Sequence, residues 1–383
     1  MRRALTFLTA ILLLAGSLAI GALAADLPFW RRALQLPLSA DSLYLPVATI
    51  GVQADPHAAQ AVRVATSLPA STPAQALDAA VARARAAGSR ALLVMQGGSL
   101  VLSHYFGGDD QHSLLPAGLI ARPATAMAVG LALADRSIES LDQPVAQYLP
   151  EWDDEPRGRI TLRQLLEDTS GLESGGAMPR LLRHSPWSEP RLLPAFATAK
   201  GVRMVLGNDF ASTALRFDLE HEPGGFHHAS PANPQLAALI VERATRTPFE
   251  QYLDERLWRA LGNGPAELAL DRRAGMPAAH CCWRATAPDM LALLNLLAVP
   301  GGAVLPDGWA QEMSRASRVN AASGMQLTRG ELSGQLVLGG SDDDGSEFWV
   351  FPQRRLAILN IVNPDGRSDP ELPTLLLRAL DPG

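Results

Sequence analysis

Few side chains in this chain of 383 residues could form the reactive centre of an enzyme. Hydrolysis through an acyl-enzyme needs a nucleophilic hydroxyl, a base that takes its proton, and donors that stabilise the oxyanion. A lysine can be such a base, but Lys200 is the only lysine, and Ala197 rather than a serine stands three positions before it. No Gly-x-Ser-x-Gly pattern is present either. The familiar serine nucleophile patterns are therefore missing.

A histidine segment and an acidic run contain the next candidates. His228 could titrate near neutral pH and act as an acid or base, and Ser230 stands two residues after it. The alternative interpretation is that a histidine in a loop only makes a polar contact. Asp342-Asp343-Asp344-Gly345 lacks the alternating acids and the distal glutamate of a calcium loop, so it predicts a solvated β-turn.

The two cysteines, Cys281 and Cys282, are adjacent and follow His280. Adjacent residues cannot join distant segments, and a bond between them is strained, so we expect no disulfide framework. A zinc site needs spaced ligands and a second cluster, which the sequence lacks. We therefore expect no metal and no cofactor, and we expect two small, half-buried side chains at the end of a strand.

Composition limits the class of protein. The hydrophobic share is 47% and the charged share is 19%, which is typical of a globular protein with a large core. The net charge is −6 and no long basic run occurs. Because phosphate binding needs concentrated arginine and lysine, no nucleic acid is expected as a partner.

The first 25 residues have the pattern of a targeting segment. Arg2-Arg3 precedes an apolar run from Ala4 to Ala25, whose length is near the roughly 20 residues that span a bilayer. Ala22-Leu23-Ala24 also fits a cleavage site, so residues 1–25 are either a signal peptide or a retained membrane anchor. The arginines would hold this end in the cytoplasm. We expect the rest of the chain in the periplasm, with the membrane contacted only through this segment.

The segments that must position the candidates begin after a linker. Residues 26–70 have weak periodicity and are predicted to be a linker and an irregular wrap over the domain at 71–383. Thr72-Pro73-Ala74-Gln75 has the form of a helix start, and Gly88 suits the helix end. A hairpin follows, with β-rich runs at 90–96 and 99–106 around a Gly-Gly turn.

The middle and the end of the chain complete the pattern. Residues 111 to about 290 are predicted to be mostly helix and loop, divided by seven prolines that include Pro123. Within them, 235–261 is predicted to be a helix pair broken near Pro248. Short strands are predicted at 335–338, 347–351 and 356–362, and a last helix at 370–380. Strands near both ends of the domain, around a helical middle, predict an α+β fold with an inserted, mostly helical lobe.

The order of several short segments resembles a known family. The segments are Leu119-Ile120-Ala121-Arg122 with the following run to Gly130, Leu141-Asp142-Gln143-Pro144-Val145, Tyr148-Leu149-Pro150-Glu151-Trp152, Ile160-Thr161-Leu162-Arg163-Gln164-Leu165-Leu166 and Thr169-Ser170-Gly171-Leu172. They resemble the serine β-lactamases and penicillin-binding-protein-like hydrolases, particularly the branch of class C enzymes, esterases and 6-aminohexanoate-dimer hydrolases. The resemblance implies a β-lactamase-like antiparallel sheet flanked by helices, with the site in the cleft between lobes.

The resemblance also implies where the family's three catalytic motifs would lie. Ser-x-x-Lys falls on Leu119 and Arg122; leucine has no nucleophilic atom, and arginine stays protonated. Tyr-x-Asn or Tyr-x-Ser falls on His228-Ala229-Ser230, or one residue later. Lys-Thr-Gly or His-x-Gly falls on the acidic run around Asp343, which reverses the local charge. We therefore expect five degenerate site positions, which are Leu119, Arg122, His228, Ser230 and Asp343.

Three functions are compatible with these changes. The first is an exported, catalytically inactive family member that binds a small amide or ester, a cell-wall fragment or a protein partner. The second is an active amide or ester hydrolase that uses His228, Ser230 or another serine in an altered mechanism. The third is a membrane-tethered structural or assembly factor. Loss of all three motifs, while the packing segments remain recognisable, favours the first.

Overall fold

The computed structural model of the chain describes residues 26–35, 45–52, 63–64, 74–175, 193–299, 304–342, 345–363 and 366–380. The predicted targeting segment at 1–25, the predicted helix start at Thr72 and Pro73, and Asp343 lie outside these ranges. Within them, no helix is both long and apolar enough to cross a membrane.

The described residues form twelve α-helices and eleven strands, numbered here in chain order. The helices are α1 (Leu27–Gln35), α2 (Ala74–Ala86), α3 (Gly118–Ala134), α4 (Leu162–Leu166), α5 (Leu193–Thr198), α6 (Lys200–Leu206), α7 (Phe210–Leu215), α8 (Ala232–Thr245), α9 (Phe249–Leu253), α10 (Ala287–Ala298), α11 (Trp309–Ser314) and α12 (Leu372–Ala379). The strands are β1 (Val47–Ile50), β2 (Arg63–Val64), β3 (Ser89–Gln96), β4 (Ser99–Tyr105), β5 (Leu115–Pro116), β6 (Ala266–Ala269), β7 (Trp283–Ala285), β8 (Thr328–Leu332), β9 (Gln335–Ser341), β10 (Glu347–Phe351) and β11 (Leu356–Val362).

The main sheet has seven strands in the order β2-β4-β3-β11-β10-β9-β8. All neighbours are antiparallel except β2 and β4. The predicted hairpin is confirmed as β3 and β4, joined at Gly97 and Gly98, which both have positive φ. β10 and β11 coincide with the strands predicted at 347–351 and 356–362. The predicted helix pair and last helix are found as α8 with α9 and as α12.

The side chains of β3 divide between two apolar cores, because successive residues of a strand point to opposite faces of the sheet. Ala91, Leu93 and Met95 belong to the larger core, and Leu92 and Val94 to the smaller one. α2 and α12 cover the smaller core, whereas the helical lobe with α3, α8 and α10 covers the larger. The structure confirms the α+β fold, with an antiparallel sheet, flanking helices and an inserted helical lobe.

α3 runs through the middle of the lobe and is buried on nearly every side. Fourteen of its 17 residues are buried, and its sequence is almost wholly apolar. Pro123 lies inside it, so the prediction that this proline divides the region into separate pieces is wrong. A proline removes one internal hydrogen bond, here the bond to the Leu119 carbonyl. Packing around the whole helix compensates for that loss.

Residues 26–70 are more regular than predicted where the structure describes them. α1 buries Phe29 and Ala33 against Phe196 and Val202. β1 pairs with β6 at the edge of a second sheet, whose order is β1-β6-β7-β5. Both elements are short. Tertiary contacts, rather than a local sequence pattern, stabilise them. The prediction of an irregular wrap is wrong at α1 and β1.

We predict that Gly130→Ala destabilises the protein. The indole of Trp309 packs against Gly130 and donates to the Ala126 carbonyl at 3.2 Å, which leaves no room for a Cβ. Overpacking of this kind costs about 1–3 kcal/mol, and the midpoint of urea unfolding measures it. Gly264→Ala is the control, because its Cβ would meet nothing closer than 3.5 Å. Equal losses in the two variants would contradict the tight contact at Gly130.

Candidate functional site

Leu119 and Arg122 lie in the first turn of α3, as the resemblance implies. Leu119 is only 6% exposed and belongs to the larger core. Its side chain has no atom that could attack a carbonyl carbon. The position expected for a nucleophile is therefore occupied by an apolar core residue.

Arg122 is held by two side chains that come from distant parts of the chain. Its Nη2 donates to Asp168 Oδ2 at 2.5 Å, and its Nε donates to Gln326 Oε1 at 2.7 Å. The Asp168 side chain is 9% exposed, whereas that of Arg122 is 34% exposed. A charged, hydrogen-bonded pair of this kind is stronger than a neutral hydrogen bond. Arg122 is thus a fixed cation, and it cannot accept a proton from a hydroxyl.

The chain places Asp168 and Gln326 beside Arg122 by means of two left-handed backbone conformations. α4 begins in a capping box formed by Thr161 and Gln164. Asp168 lies two residues after the end of α4 and has φ +54°. Gln326 has φ +55°, and its backbone amide donates to the Leu166 carbonyl at 2.8 Å. Such conformations cost about 1–2 kcal/mol in residues other than glycine, somewhat less for aspartate. The contacts made by both side chains offset that cost.

Asp168 also connects the ion pair to α8. Its Oδ1 accepts a hydrogen bond from Asn233 Nδ2 at 2.7 Å, and Asn233 Oδ1 accepts one from the Ser170 hydroxyl at 2.6 Å. Ser170 and Asn233 are both fully buried. Ser170 is thus part of a buried polar network and is not exposed to a substrate.

Ser230 and His228 lie just before α8, but the structure does not bring them together as a catalytic pair. The Ser230 hydroxyl donates to the Glu173 carbonyl at 2.6 Å and accepts from the Ala232 amide at 3.3 Å. Ser230 is 1% exposed. His228 Nε2 lies 3.6 Å from Glu220 Oε2 and has no hydrogen-bond partner among the described residues. Ser230 therefore has a structural role at the start of the helix.

The third motif position lies partly outside the described residues, since Asp343 is not among them. On either side of it, the Asp342 amide donates to the Ser346 carbonyl and the Gly345 amide donates to the Asp342 carbonyl. The Asp342 carboxylate lies against Gly118 at the N-terminus of α3. A negative charge is favourable at a helix N-terminus. This region of the site therefore presents a carboxylate where the family's motif would supply a cation.

His280, Cys281 and Cys282 approach the same region from the strand side. Cys281 and Cys282 are bonded to each other just before β7 and are half-buried; the expected position is found, but the bond itself was not expected. His280 Nδ1 lies 3.4 Å from Gln235 Oε1, whereas its Nε2 is shielded and has no partner. Desolvation, aided by the positive charge of Arg122, lowers the pKa of His280 to about 3. The imidazole is neutral at neutral pH.

The only lysine of the chain is held in ion pairs. Lys200 Nζ forms ion pairs with Glu173 and with Asp218, the latter at 2.6 Å. Among the residues that the structure describes, Leu119, Arg122, Ser230 and Lys200 thus form no pair of nucleophile and base. Instead, the arrangement provides a guanidinium that is one-third exposed, beside buried polar groups.

Sequence reasoning missed Asp168, Asn233, Gln326 and His280 as members of this site. Asp168 directly precedes Thr169-Ser170-Gly171, so the acid next to a recognisable segment was one available signal. Gln326 gave no signal, because it lies 204 positions from Arg122 and in no recognised motif.

Comparison with known proteins defines the family. A family model described as Beta-lactamase matches residues 74–381, most of the chain. The chain belongs to the beta-lactamase family. The resemblance to this family that was read from residues 119–172 is therefore confirmed.

Several solved structures have a similar fold. The fold is similar to that of the "Putative 6-aminohexanoate-dimer hydrolase from Bacillus anthracis", with a TM-score of 0.66, 16% identity and coverage of 90% of this chain and 92% of that one. It is also similar to the penicillin binding protein from Bacillus halodurans, with a TM-score of 0.57, 16% identity and coverage of 79% and 98%. At such identities, the likeness shows a shared fold alone.

A curated relative is similar over a shorter stretch. The "Putative D-alanyl-D-alanine carboxypeptidase" of Escherichia coli (strain K12) is 27% identical over 121 residues, which is 32% of this chain. The match spans only about a quarter, 26%, of that relative's length.

We predict that Arg122→Met destabilises this beta-lactamase family protein by about 2–3 kcal/mol, because the variant leaves the Asp168 carboxylate without its cation. Breaking a fully buried pair costs about 3–5 kcal/mol, and the partial exposure of Arg122 reduces that figure. Urea unfolding measures the loss. The double variant Arg122→Met/Asp168→Asn is expected to recover part of it, since asparagine carries no charge and tolerates the left-handed conformation. A double variant less stable than Arg122→Met would contradict this account.

A second prediction concerns acid. Between about pH 6.5 and pH 3 the unfolded chain binds a proton at His280 that the folded chain does not, so stability falls as the pH drops through this range. Lowering the pH from 7 to 5 is expected to cost about 1–2 kcal/mol through this residue. Urea unfolding at both pH values should show a smaller loss for His280→Gln than for the wild type. His112→Gln, at an exposed position, is the control; equal losses in wild type and His280→Gln would refute the assignment.

Proposed function

We propose that the protein is an exported, catalytically inactive member of the beta-lactamase family that acts by binding a ligand or a protein partner. The observation that carries the proposal is the engagement of Arg122 by Asp168 and Gln326. In the family's motif this position would hold the base. Here a permanent cation is paired with a nearly buried carboxylate, so the position contributes structure instead of proton transfer.

The surrounding residues support the same conclusion. Leu119 supplies no nucleophile, and the Ser230 hydroxyl is committed to the Glu173 carbonyl. The alternative of an active hydrolase based on His228 would need a hydroxyl within hydrogen-bond reach of that imidazole. Among the described residues no hydroxyl is hydrogen-bonded to it. The geometry therefore favours binding over an altered hydrolytic mechanism.

The ligand is proposed from charge and from relatedness. The exposed third of Arg122 offers a cation to a carboxylate. The E. coli relative is described as acting on D-alanyl-D-alanine, and a cell-wall peptide with a free carboxylate combines an amide with the required charge. Export is supported by Arg2-Arg3 with the apolar run that follows, and by a disulfide, which persists mainly outside the cytoplasm.

The decisive experiment is intact-mass measurement of the full chain in detergent, after incubation with a fluorophosphonate and, separately, with a reactive β-lactam. We expect no change in mass from either reagent, because no described serine is hydrogen-bonded to a histidine or to the lysine. An adduct that peptide sequencing maps to one serine would overturn the proposal and identify the nucleophile.

Engineered variants supply the matched control. Leu119→Ser/Arg122→Lys restores the residue types of the family's first motif, but Asp168 would hold the new ammonium protonated. We expect an adduct at position 119 only when Asp168→Asn is added to these two substitutions. An adduct of equal yield in the double variant would show that Asp168 does not suppress the base.

A further inference from the structure

Exposed apolar side chains are concentrated at the start of the described chain. Six large hydrophobic side chains are exposed among the described residues. Four of the six lie on α1 and around β1. These are Leu27, Leu34, Val47 and Val52, with exposures of 64%, 56%, 50% and 67%. Single exposed apolar residues are ordinary and need no explanation. A group of them on two neighbouring elements indicates an interaction surface.

α1 is fixed to the body by its inner face, which leaves its outer face unpaired. Phe29 and Ala33 are fully buried, and Arg32 donates to the carbonyls of Leu206 at 3.0 Å and Asp271 at 2.5 Å. The outer face carries Leu27 and Leu34, seven positions apart and therefore on one side of the helix. α1 is thus held rigidly while it presents an apolar side to its surroundings.

β1 is bonded to the same stretch of chain as α1. Val47 pairs with Ala269, and the Pro46 carbonyl accepts a hydrogen bond from the Leu270 amide at 2.7 Å. The next residue, Asp271, is the one whose carbonyl binds Arg32 of α1. Both elements are therefore attached to residues 269–271.

Arginines accompany these apolar side chains. Arg31 is exposed on α1, and Arg272 and Arg273 are exposed immediately after Asp271. Arg272 lies 3.6 Å from the carboxylates of Asp209 and Asp271 and donates to the Asn208 carbonyl at 3.0 Å. Trp30 is half-buried beside them. Leucine, valine, tryptophan and arginine together are the composition of a surface that binds at the boundary of an anionic bilayer.

The position of α1 in the sequence indicates that its exposed apolar side chains contact the bilayer. The apolar run from Ala4 to Ala25 has a length suited to a membrane span and ends one residue before Asp26 leads into α1. Two extended residues reach at most about 7 Å. If this run spans the bilayer, Leu27 lies at the membrane surface.

We infer that residues 4–25 are retained as a membrane anchor and that the outer face of α1, with β1, lies against the anionic surface of the bilayer outside the cytoplasm. The inference rests on the export in the proposed function and is independent of the lost catalysis. It assigns the folded body a second contact with the membrane in addition to the anchor.

Spin labels on the full chain in vesicles of phosphatidylcholine and phosphatidylglycerol test this inference. The native cysteines are bonded to each other, so Leu34→Cys and Val52→Cys each add one free thiol for a nitroxide. Val319→Cys is the matched control, since Val319 is an exposed valine, 42% exposed, in the loop before β8. Collision rates with oxygen, which partitions into lipid, are compared with those of a water-soluble nickel chelate.

We expect the ratio of oxygen to nickel collisions to be at least threefold higher at positions 34 and 52 than at position 319. Ratios equal to that of position 319 would overturn the inference, and so would recovery of a chain cleaved after residue 25 as the mature form in cells. Arg31→Gln/Arg273→Gln should lower the ratio at position 34 if anionic headgroups bind these arginines. An unchanged ratio would refute the binding of anionic headgroups by these arginines. None of these readouts depends on reaction with β-lactams, so failure here is distinguishable from failure of the proposed function.

Discussion

The ion pair between Arg122 and Asp168 is the interaction on which the centre of this protein depends. It joins α3, the turn after α4 and, through Asn233, the start of α8. Gln326 adds the segment between α11 and β8, because its side-chain amide also donates to the carbonyls of Leu165 and Leu166 at 3.1 Å. Burying charge is costly, so a centre of this kind is stable only when every partner is present. The polar network is therefore cooperative in the sense that each member depends on the others.

This network explains how the fold can be stable without Ser-x-x-Lys at residues 119–122. In an active hydrolase of this architecture the same place must keep a proton acceptor and an exposed hydroxyl, both of which are poor packing groups. Leu119 contributes apolar area to the core instead, and Arg122 satisfies buried acceptors. Both side chains contribute to stability, which agrees with the general conflict between strained active sites and stable cores.

The sequence predicted the fold well where the signal is local. Gly97-Gly98 between two β-rich runs predicted the hairpin, and apolar runs bounded by Gly, Asp and Pro predicted β10 and β11 at their observed bounds. The positions of Leu119 and Arg122 followed from counting within one helix. The partners of Arg122 could not be predicted, because they lie 46 and 204 positions away and no periodicity encodes such pairs. α1 was missed for the same reason, since Arg32 is bound by carbonyls 174 and 239 positions away.

Gln326 has a consequence for how this sequence can change over time. Glutamine is not one of the residues that adopt the left-handed conformation at low cost, so its φ of +55° has to be compensated by the contacts of its side chain. Those contacts exist only while Arg122 and the carbonyls after α4 are in place. In descendants that lose the arginine, glycine or asparagine becomes the better residue at position 326. The two positions should therefore covary, and their pairing would serve as a sequence marker for this form of the centre within a large family.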